Sequence, residues 1–247
     1  MIAPRPVWLV LAMCLILACL SHDAGALGAP ILIAEIAFLA VGGFWSTRLL
    51  MSTAQSAVLA RVLATDSEAA ERFGIPFQRV RLSGRGAFVL GSARPTIYVS
   101  GDLEDVLAPG ELLGVLLHED HHRAIRAPLR AAALHAWLSV FRPVRPIRAG
   151  ILQRLADLES LADAHALANG VAPSTLASAL VKSAGTSTAG YAGSGFGEAA
   201  ETRITTLLAL AAGHGKHRAS APVEWLPAVA VVVLLVACHI VGFPIPA

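Results

Sequence analysis

The pentad His118-Glu119-Asp120-His121-His122 combines residue types and a spacing that suit a hydrolytic metal site. On a helix, positions 118 and 122 are one turn apart, about 5–6 Å between Cβ atoms, so both imidazoles can bind one ion. A catalytic Zn²⁺ takes three protein ligands and a water, and a neighbouring carboxylate can act as general base. The pentad therefore predicts one zinc ion held by His118 and His122, with Glu119 as the base.

This geometry requires that the pentad lie on an α-helix, and its neighbours predict one. Pro109 suits a first helical position, Glu111 favours the positive N-terminal end, and four intervening leucines supply an apolar face. Pro128 ends or kinks the helix after the pentad. His121 lies about 100° around the helix from His122, so we do not count it among the ligands.

The composition predicts a membrane protein. Of the 247 residues, 55% are hydrophobic and 15% are charged, which is too apolar for an ordinary soluble domain. Three apolar runs approach the roughly 20 residues that a bilayer requires. We interpret them as transmembrane helices at about residues 6–21, 31–50 and 223–247. The first two form a hairpin within residues 1–50, and the third is a C-terminal transmembrane helix.

The first apolar run also suits a signal peptide, with Arg5 as its basic region and Ala24-Gly-Ala26 as the cleavage site. We favour an uncleaved hairpin because a second apolar run follows at once. Residues 21–30 contain no Lys or Arg, whereas six arginines lie between residues 48 and 85. The positive-inside bias then places residues 51–222 at the cytoplasmic face of a bacterial-type plasma membrane.

Other classes of function are disfavoured by composition. The net charge is only +2 and the arginines are dispersed, so direct nucleic-acid binding is not expected. The three cysteines all lie in apolar runs, which argues against a disulfide framework or a thiolate zinc site. No nucleotide-binding loop or Ser/Cys catalytic triad is evident, and nothing indicates an oligomeric state.

A small antiparallel sheet is expected before the metal helix. Residues 51–75 are predicted to form a helix that ends at Gly74. Gly-containing turns then separate three short strands: Gln78–Leu82, Ala87–Leu90 and Thr96–Ser100. This sheet has two interpretations. Its edge strand pairs with an extended peptide beside the zinc ion, or the sheet only packs on the helix that carries the pentad. The predicted fold class is a mainly α membrane protein, with transmembrane helices and a zincin-like α+β catalytic domain.

The sequence from the second strand to the pentad resembles a known family. Ala87-Phe-Val-Leu-Gly-Ser-Ala-Arg-Pro-Thr-Ile-Tyr-Val-Ser100 and Pro109-Gly-Glu-Leu-Leu-Gly-Val-Leu-Leu-His-Glu-Asp-His-His-Arg123 are similar to the membrane metallopeptidases of the BlaR/MecR antirepressor type. These are relatives of the HtpX and CAAX-prenyl protease group. The resemblance covers about residues 80–210, with its motifs in order.

The resemblance implies a third metal ligand, a Glu in a later ExxxD motif, which stands here as Glu159-Ser-Leu-Ala-Asp163. Glu159 would complete a His₂Glu site, and Asp163 would accept the second ring N–H of a ligating histidine. If residues 127–141 crossed the membrane once, Glu159 would lie on the opposite face of the membrane from His118 and His122 and could not share an ion with them. We therefore expect that apolar segment to be interfacial or re-entrant, with His135 and Trp137 packed or at the interface.

Features after the third ligand are less specific. Residues 183–200 are rich in Gly, Ser and Ala and are interpreted as a flexible gate or a plain linker. CAAX-type relatives carry a His-Pro pair shortly before an Arg-Ile pair, and the latter resembles Arg203-Ile204. The present sequence has no His-Pro pair, which favours the BlaR/MecR type. Candidates for stabilising the oxyanion are then Arg203, Tyr191 and His165, each of which also has a structural interpretation.

The family implies an endopeptidase that cuts a cytoplasmic or membrane protein, such as a transcriptional repressor in a signalling pathway. One alternative is an HtpX-like protease that clears damaged membrane proteins. Another is a non-catalytic membrane transducer in which zinc only holds two helices together. Glu119 argues against the transducer, because a structural zinc site needs no base and normally has a closed fourth position.

Overall fold

The computed structural model describes residues 28–82, 84–184 and 196–212, all of which belong to one compact unit, Met1–Lys216. The elements in these residues are α1 (Gly28–Thr65), β1 (Ser67–Arg72), β2 (Ile75–Val80), β3 (Ala87–Leu90), β4 (Thr96–Ser100), α2 (Gly101–Val106), α3 (Pro109–Ala124), α4 (Ala127–Val140), α5 (Arg145–Ala168), α6 (Pro173–Ala184) and α7 (Phe196–Ala211). This part of the chain is mainly helical and includes one small sheet.

The four strands are arranged in the order β1-β2-β4-β3, and the sheet is mixed rather than antiparallel as predicted. β1 pairs with β2 and β3 pairs with β4 in antiparallel hairpins. β4 lies between β2 and β3 and pairs with β2 in parallel. The prediction was wrong here because β3 takes an outer position, so that β2 meets β4 instead of its neighbour in the sequence.

The helix predicted over residues 51–75 is also corrected, since α1 ends at Thr65 and a strand follows. Phe73 and Gly74 have positive φ angles of 56° and 77° and join Arg72 to Ile75. Two consecutive residues with positive φ form the tight turn whose twist matches a β-hairpin. Gly74 therefore marks a hairpin turn and not the end of a helix.

No helix in the described part of the chain is long and apolar enough to cross a membrane. Residues 31–50, which were predicted to form a transmembrane helix, are helical as part of α1, but α1 does not meet this condition. Those predicted at about 6–21 and 223–247 lie outside the described residues. Membrane attachment therefore stays a prediction.

The segment expected to be interfacial, residues 127–141, forms α4, which packs against α1. The indole N–H of Trp45 in α1 donates to the carbonyl oxygen of Ala133 in α4, at 3.3 Å. Ala132 and Ala136 are buried, so small side chains occupy the inner side of α4. α4 and α5 contact each other as a helical hairpin, and α5 also packs against α3.

One apolar face of α3 holds it against the sheet. Leu112 and Leu116 are one turn apart and share a buried cluster with Phe77, Ile97 and Val99 of the strands. Burying an aliphatic side chain of this size contributes about 1.5–3 kcal/mol. The sheet thereby determines which side of α3 is left to carry polar groups.

A second face of α3 contacts a cluster that includes residues of α6 and α7. Leu113 and Leu117 pack against this cluster. At Gly114, an added Cβ would lie 3.1 Å from Val171 and 3.3 Å from Leu176, so only glycine permits this close approach without displacement. α3 is therefore enclosed between the sheet and the α6–α7 pair.

The N-terminus of α3 is held by the buried carboxylate of Glu111. It accepts hydrogen bonds from the backbone N–H of Ala108 at 2.7 Å, the hydroxyl of Ser178 at 2.6 Å and the Lys182 ammonium at 2.6 Å. Burial alone would raise the pKa of Glu111, but these hydrogen bonds lower it. Glu111 thus caps α3 and ties it to α6.

Leu116→Ala is expected to lower the free energy of unfolding by about 2–5 kcal/mol, because Leu116 is 0% exposed and its truncation leaves a cavity. Leu208→Ala is the matched control, since Leu208 in α7 is 52% exposed. That variant should change the free energy by no more than about 0.5 kcal/mol. Denaturant unfolding of the purified chain measures both values, and equal losses would contradict the packing described for α3.

Candidate metal centre

α3 presents the first and last histidines of the pentad side by side. His118 and His122 are both buried, and their rings meet edge to face with centroids 4.6 Å apart. Their Nε2 atoms lie 3.0 Å from each other. One turn of helix therefore aims two ring nitrogens at the same point in space.

α5 brings the carboxylate of Glu159 to that point. Its Oε2 lies 3.5 Å from Nε2 of His118, and its Oε1 lies 3.4 Å from Nε2 of His122. Two ligand atoms bound at 2.0–2.1 Å to a tetrahedral ion are about 3.3 Å apart. The three separations, 3.0, 3.4 and 3.5 Å, bracket this value. The His-His-Glu group could therefore hold one metal ion.

The hydrogen bonding of His118 supports this interpretation. Its Nδ1 lies 2.9 Å from Oδ1 of Asp163, so we assign the proton to Nδ1, which donates to the carboxylate. In the neutral ring, Nε2 then directs a lone pair toward the other histidine and Glu159. Three electron-rich atoms that face one another in a largely buried site are stabilised by a cation between them.

A proton can serve as that cation when no metal does. Burial alone would lower the pKa of His118, but its hydrogen bonds to Asp163 and Glu159 raise it to about 9. The same carboxylates that favour a proton on this imidazole would favour a divalent ion at its Nε2. The site therefore favours a positive charge, which either a proton on His118 or a divalent ion can supply.

Arg203 of α7 completes the cluster from a third helix. Its guanidinium forms a two-pronged pair with Asp163, at 2.9 Å from Nε and 2.6 Å from Nη2. Its Nη1 donates to Oε2 of Glu159 at 2.9 Å. Burial would lower the pKa of Arg203, but the two carboxylates raise it, so this group stays charged.

The charges of this cluster do not balance without a cation. Three carboxylates, those of Glu119, Glu159 and Asp163, share the site with one guanidinium. In the protonation state that binds a metal, with neutral histidines and ionised carboxylates, two negative charges remain uncompensated. A buried charge is costly unless it is paired, so one divalent ion fits both the geometry and the charge of the site.

Glu119, next to His118 in the sequence, is buried in the same region. Burial raises its pKa, whereas the neighbouring His118 and His122 lower it, and the net effect is a rise. A carboxylate with a raised pKa is a stronger base, which suits a group that must accept and return a proton. The structure thus places a candidate base beside the candidate metal ligands.

The remaining predicted residues lie elsewhere or have different contacts. The donors of Arg203 are engaged by carboxylates, so it positions Glu159 and Asp163. His165 packs against His121, with ring centroids 5.0 Å apart, and does not join the His-His-Glu group. Tyr191, the third candidate for stabilising an oxyanion, lies outside the described residues.

Sequence reasoning did not identify how Arg203 contributes. Its partners Asp163 and Glu159 are 40 and 44 residues away along the chain, so no spacing rule connects them. The only signal was the Arg-Ile pair, which marked the residue as a candidate without showing its contacts.

No family model, curated protein or solved structure matches this chain. The assignment of the site therefore depends on its own geometry.

Asp163→Asn is expected to weaken zinc binding by about 10–100-fold, because the amide cannot replace the carboxylate that holds both His118 and Arg203. Asp157→Asn is the control, since Asp157 lies on the same helix, accepts a hydrogen bond from Gln153 and lies outside the His-His-Glu group. Competition with a chromogenic chelator gives both affinities. Equal affinities for the two variants would show that Asp163 does not orient a ligand.

The adjacent histidines offer a second test of the ligand set. His122→Ala should lose stoichiometric zinc, because it removes one of three ligand atoms. His121→Ala should retain zinc, since its ring packs on His165 and lies outside the ligand group. Elemental analysis of the purified variants measures the bound metal. Loss of zinc from His121→Ala, with retention in His122→Ala, would overturn the assignment.

Proposed function

We propose that this protein is a zinc-dependent endopeptidase. The observation that carries the proposal is the triangle formed by the buried His118 and His122 with the partly buried Glu159, whose ligand atoms are spaced for one tetrahedral ion. A purely structural zinc site has four protein ligands, whereas this group has three among the residues that the structure describes. The neighbouring Glu119 carboxyl supplies a proton acceptor that a structural site does not need.

The roles of the side chains follow from their positions. Zinc held by this group would polarise the scissile carbonyl and acidify a water molecule. Glu119 accepts a proton from the attacking water and later delivers it to the amine that leaves, so the proton count is balanced at the end of the cycle. Asp163 holds His118 in the tautomer that leaves Nε2 free, and Arg203 holds Asp163 and Glu159 in place.

The position of the sheet supports a peptide as substrate. β3 is an outer strand of the sheet and contacts α3, the helix that carries both histidines. An extended peptide can add to such an edge through backbone hydrogen bonds. This mode of binding would align a peptide bond beside the metal centre with little dependence on the substrate's side chains.

The cellular context of the proposal comes from the sequence. The apolar composition and the resemblance to BlaR/MecR-type peptidases suggest a plasma-membrane enzyme whose site faces the cytoplasm. Its substrate would be a cytoplasmic or membrane protein, with a transcriptional repressor in a signalling pathway as the first candidate. The HtpX-like alternative, removal of damaged membrane proteins, uses the same site and the same chemistry.

Glu119→Gln is expected to bind zinc as the unmodified chain does and to cleave a fluorescent casein about 10²–10⁴-fold more slowly, since the amide cannot accept the water's proton. Glu201→Gln, an exposed position on α7, is the control and should keep full activity. Zinc content and initial rates are measured on the same preparations.

Two outcomes would contradict the proposal. Unchanged cleavage by a zinc-loaded Glu119→Gln variant would remove Glu119 as the base. An unmodified chain that binds one zinc and cleaves no protein substrate would favour the membrane transducer, in which the ion only joins α3 to α5.

A further inference from the structure

The turn between α4 and α5 is unusually exposed. We call residues 142–150 the basic tip; they comprise the end of the turn and the first six residues of α5, and all nine are exposed. They include Val144 and Ile147, which are 39% and 42% exposed. Exposed aliphatic side chains clustered in one short segment commonly mark a surface that meets a partner.

The same segment is strongly and uniformly basic. Arg142, Arg145 and Arg148 recur at every third residue, and apolar residues lie between them. None of the three forms an ion pair with a carboxylate of the described residues. Residues 121–156 contain seven arginines and no Asp or Glu, although the whole chain has a net charge of only +2. The partner that fits this surface therefore carries negative charge.

An aromatic cluster lies directly before the basic tip. Trp137 stacks on Phe141 with ring centroids 5.5 Å apart, and it also contacts Trp45 of α1 at 5.3 Å. Trp137 is itself 36% exposed. Indole rings that combine an apolar body with a polar N–H are favoured at the boundary between lipid and water.

We propose that the basic tip docks on an anionic lipid surface. The arginines would bind lipid phosphates, while Val144 and Ile147 enter the boundary between headgroups and acyl chains. An acidic protein surface would match the charge alone. A lipid surface also matches the interleaved aliphatic residues and the exposed tryptophan, which is why we choose it.

Docking at the tip would set the distance of the metal centre from the lipid. Ile147 and Glu159 lie on the same helix, twelve residues apart, which corresponds to about 18 Å along α5. If the proposed peptidase function holds, the site would reach segments of a substrate that lie within about 18 Å of the bilayer. The docking itself does not depend on that function and can be measured without any peptidase assay.

An environment-sensitive fluorophore at position 147 tests the proposal in the full chain. Ile147→Cys is made in a chain whose Cys14, Cys19 and Cys238 are replaced by Ser, and the labelled protein is placed in lipid nanodiscs. We expect the emission to shift to the blue when phosphatidylserine is added to phosphatidylcholine discs, and spin-labelled lipid to quench it. High salt should reverse the shift, because the attraction is between exposed charges.

The matched control is a label at Val181→Cys, on α6, where the native side chain is 56% exposed but lies outside the basic tip. Its emission should not depend on phosphatidylserine. Replacing Arg142, Arg145 and Arg148 together by Gln should reduce the docking equilibrium constant about a hundredfold, and replacing them by Lys should largely preserve it. Unchanged zinc binding by both triple variants would show that the metal site, and hence the fold around it, is intact.

The proposal is overturned if the probe at position 147 has the same emission in phosphatidylcholine and phosphatidylserine discs. It is also overturned if the triple Gln variant, with its zinc site intact, retains the full shift. A shift that occurs equally at position 181 would mean that the whole chain approaches anionic lipid without specific docking by the tip.

Discussion

The hydrogen bond between Nδ1 of His118 and Oδ1 of Asp163, 2.9 Å long, is the interaction on which the candidate site depends. It fixes the ring tautomer and directs the Nε2 lone pair toward His122 and Glu159. Without it, the imidazole could rotate or exchange its protonated nitrogen, and the three ligand atoms would no longer converge. The carboxylate that makes this bond is itself held by Arg203.

This network makes the candidate metal site depend on the arrangement of three helices. α3 supplies two imidazoles, α5 supplies Glu159 and Asp163, and α7 supplies the guanidinium that joins the two carboxylates. The buried charges also restrict the fold, because displacing one helix would leave the charged groups of the others without partners. Apolar packing of α3 on the sheet and on α6 provides the free energy that holds these polar groups away from water.

Several elements could be predicted from local patterns, and others could not. The strands Ala87–Leu90 and Thr96–Ser100 and the start of α3 at Pro109 lie where the sequence placed them. The hairpin at Phe73 and Gly74 was missed because an Ala- and Glu-containing strand has a composition typical of a helix. The parallel pairing of β2 with β4 was missed because it depends on the outer position of β3, which no local pattern specifies.

The sequence by itself determined the parts of the site that lie within one element. The spacing of His118 and His122 on a single helix places both rings on one side, and Glu119 follows from the same pentad. Only the tertiary structure brought Glu159 to the histidines, paired Arg203 with Asp163 and exposed the basic tip. The physical reason is that helical periodicity sets distances over a few residues. Contacts such as those of Arg203 with Asp163 and Glu159, 40 and 44 residues away along the chain, depend on how whole elements pack.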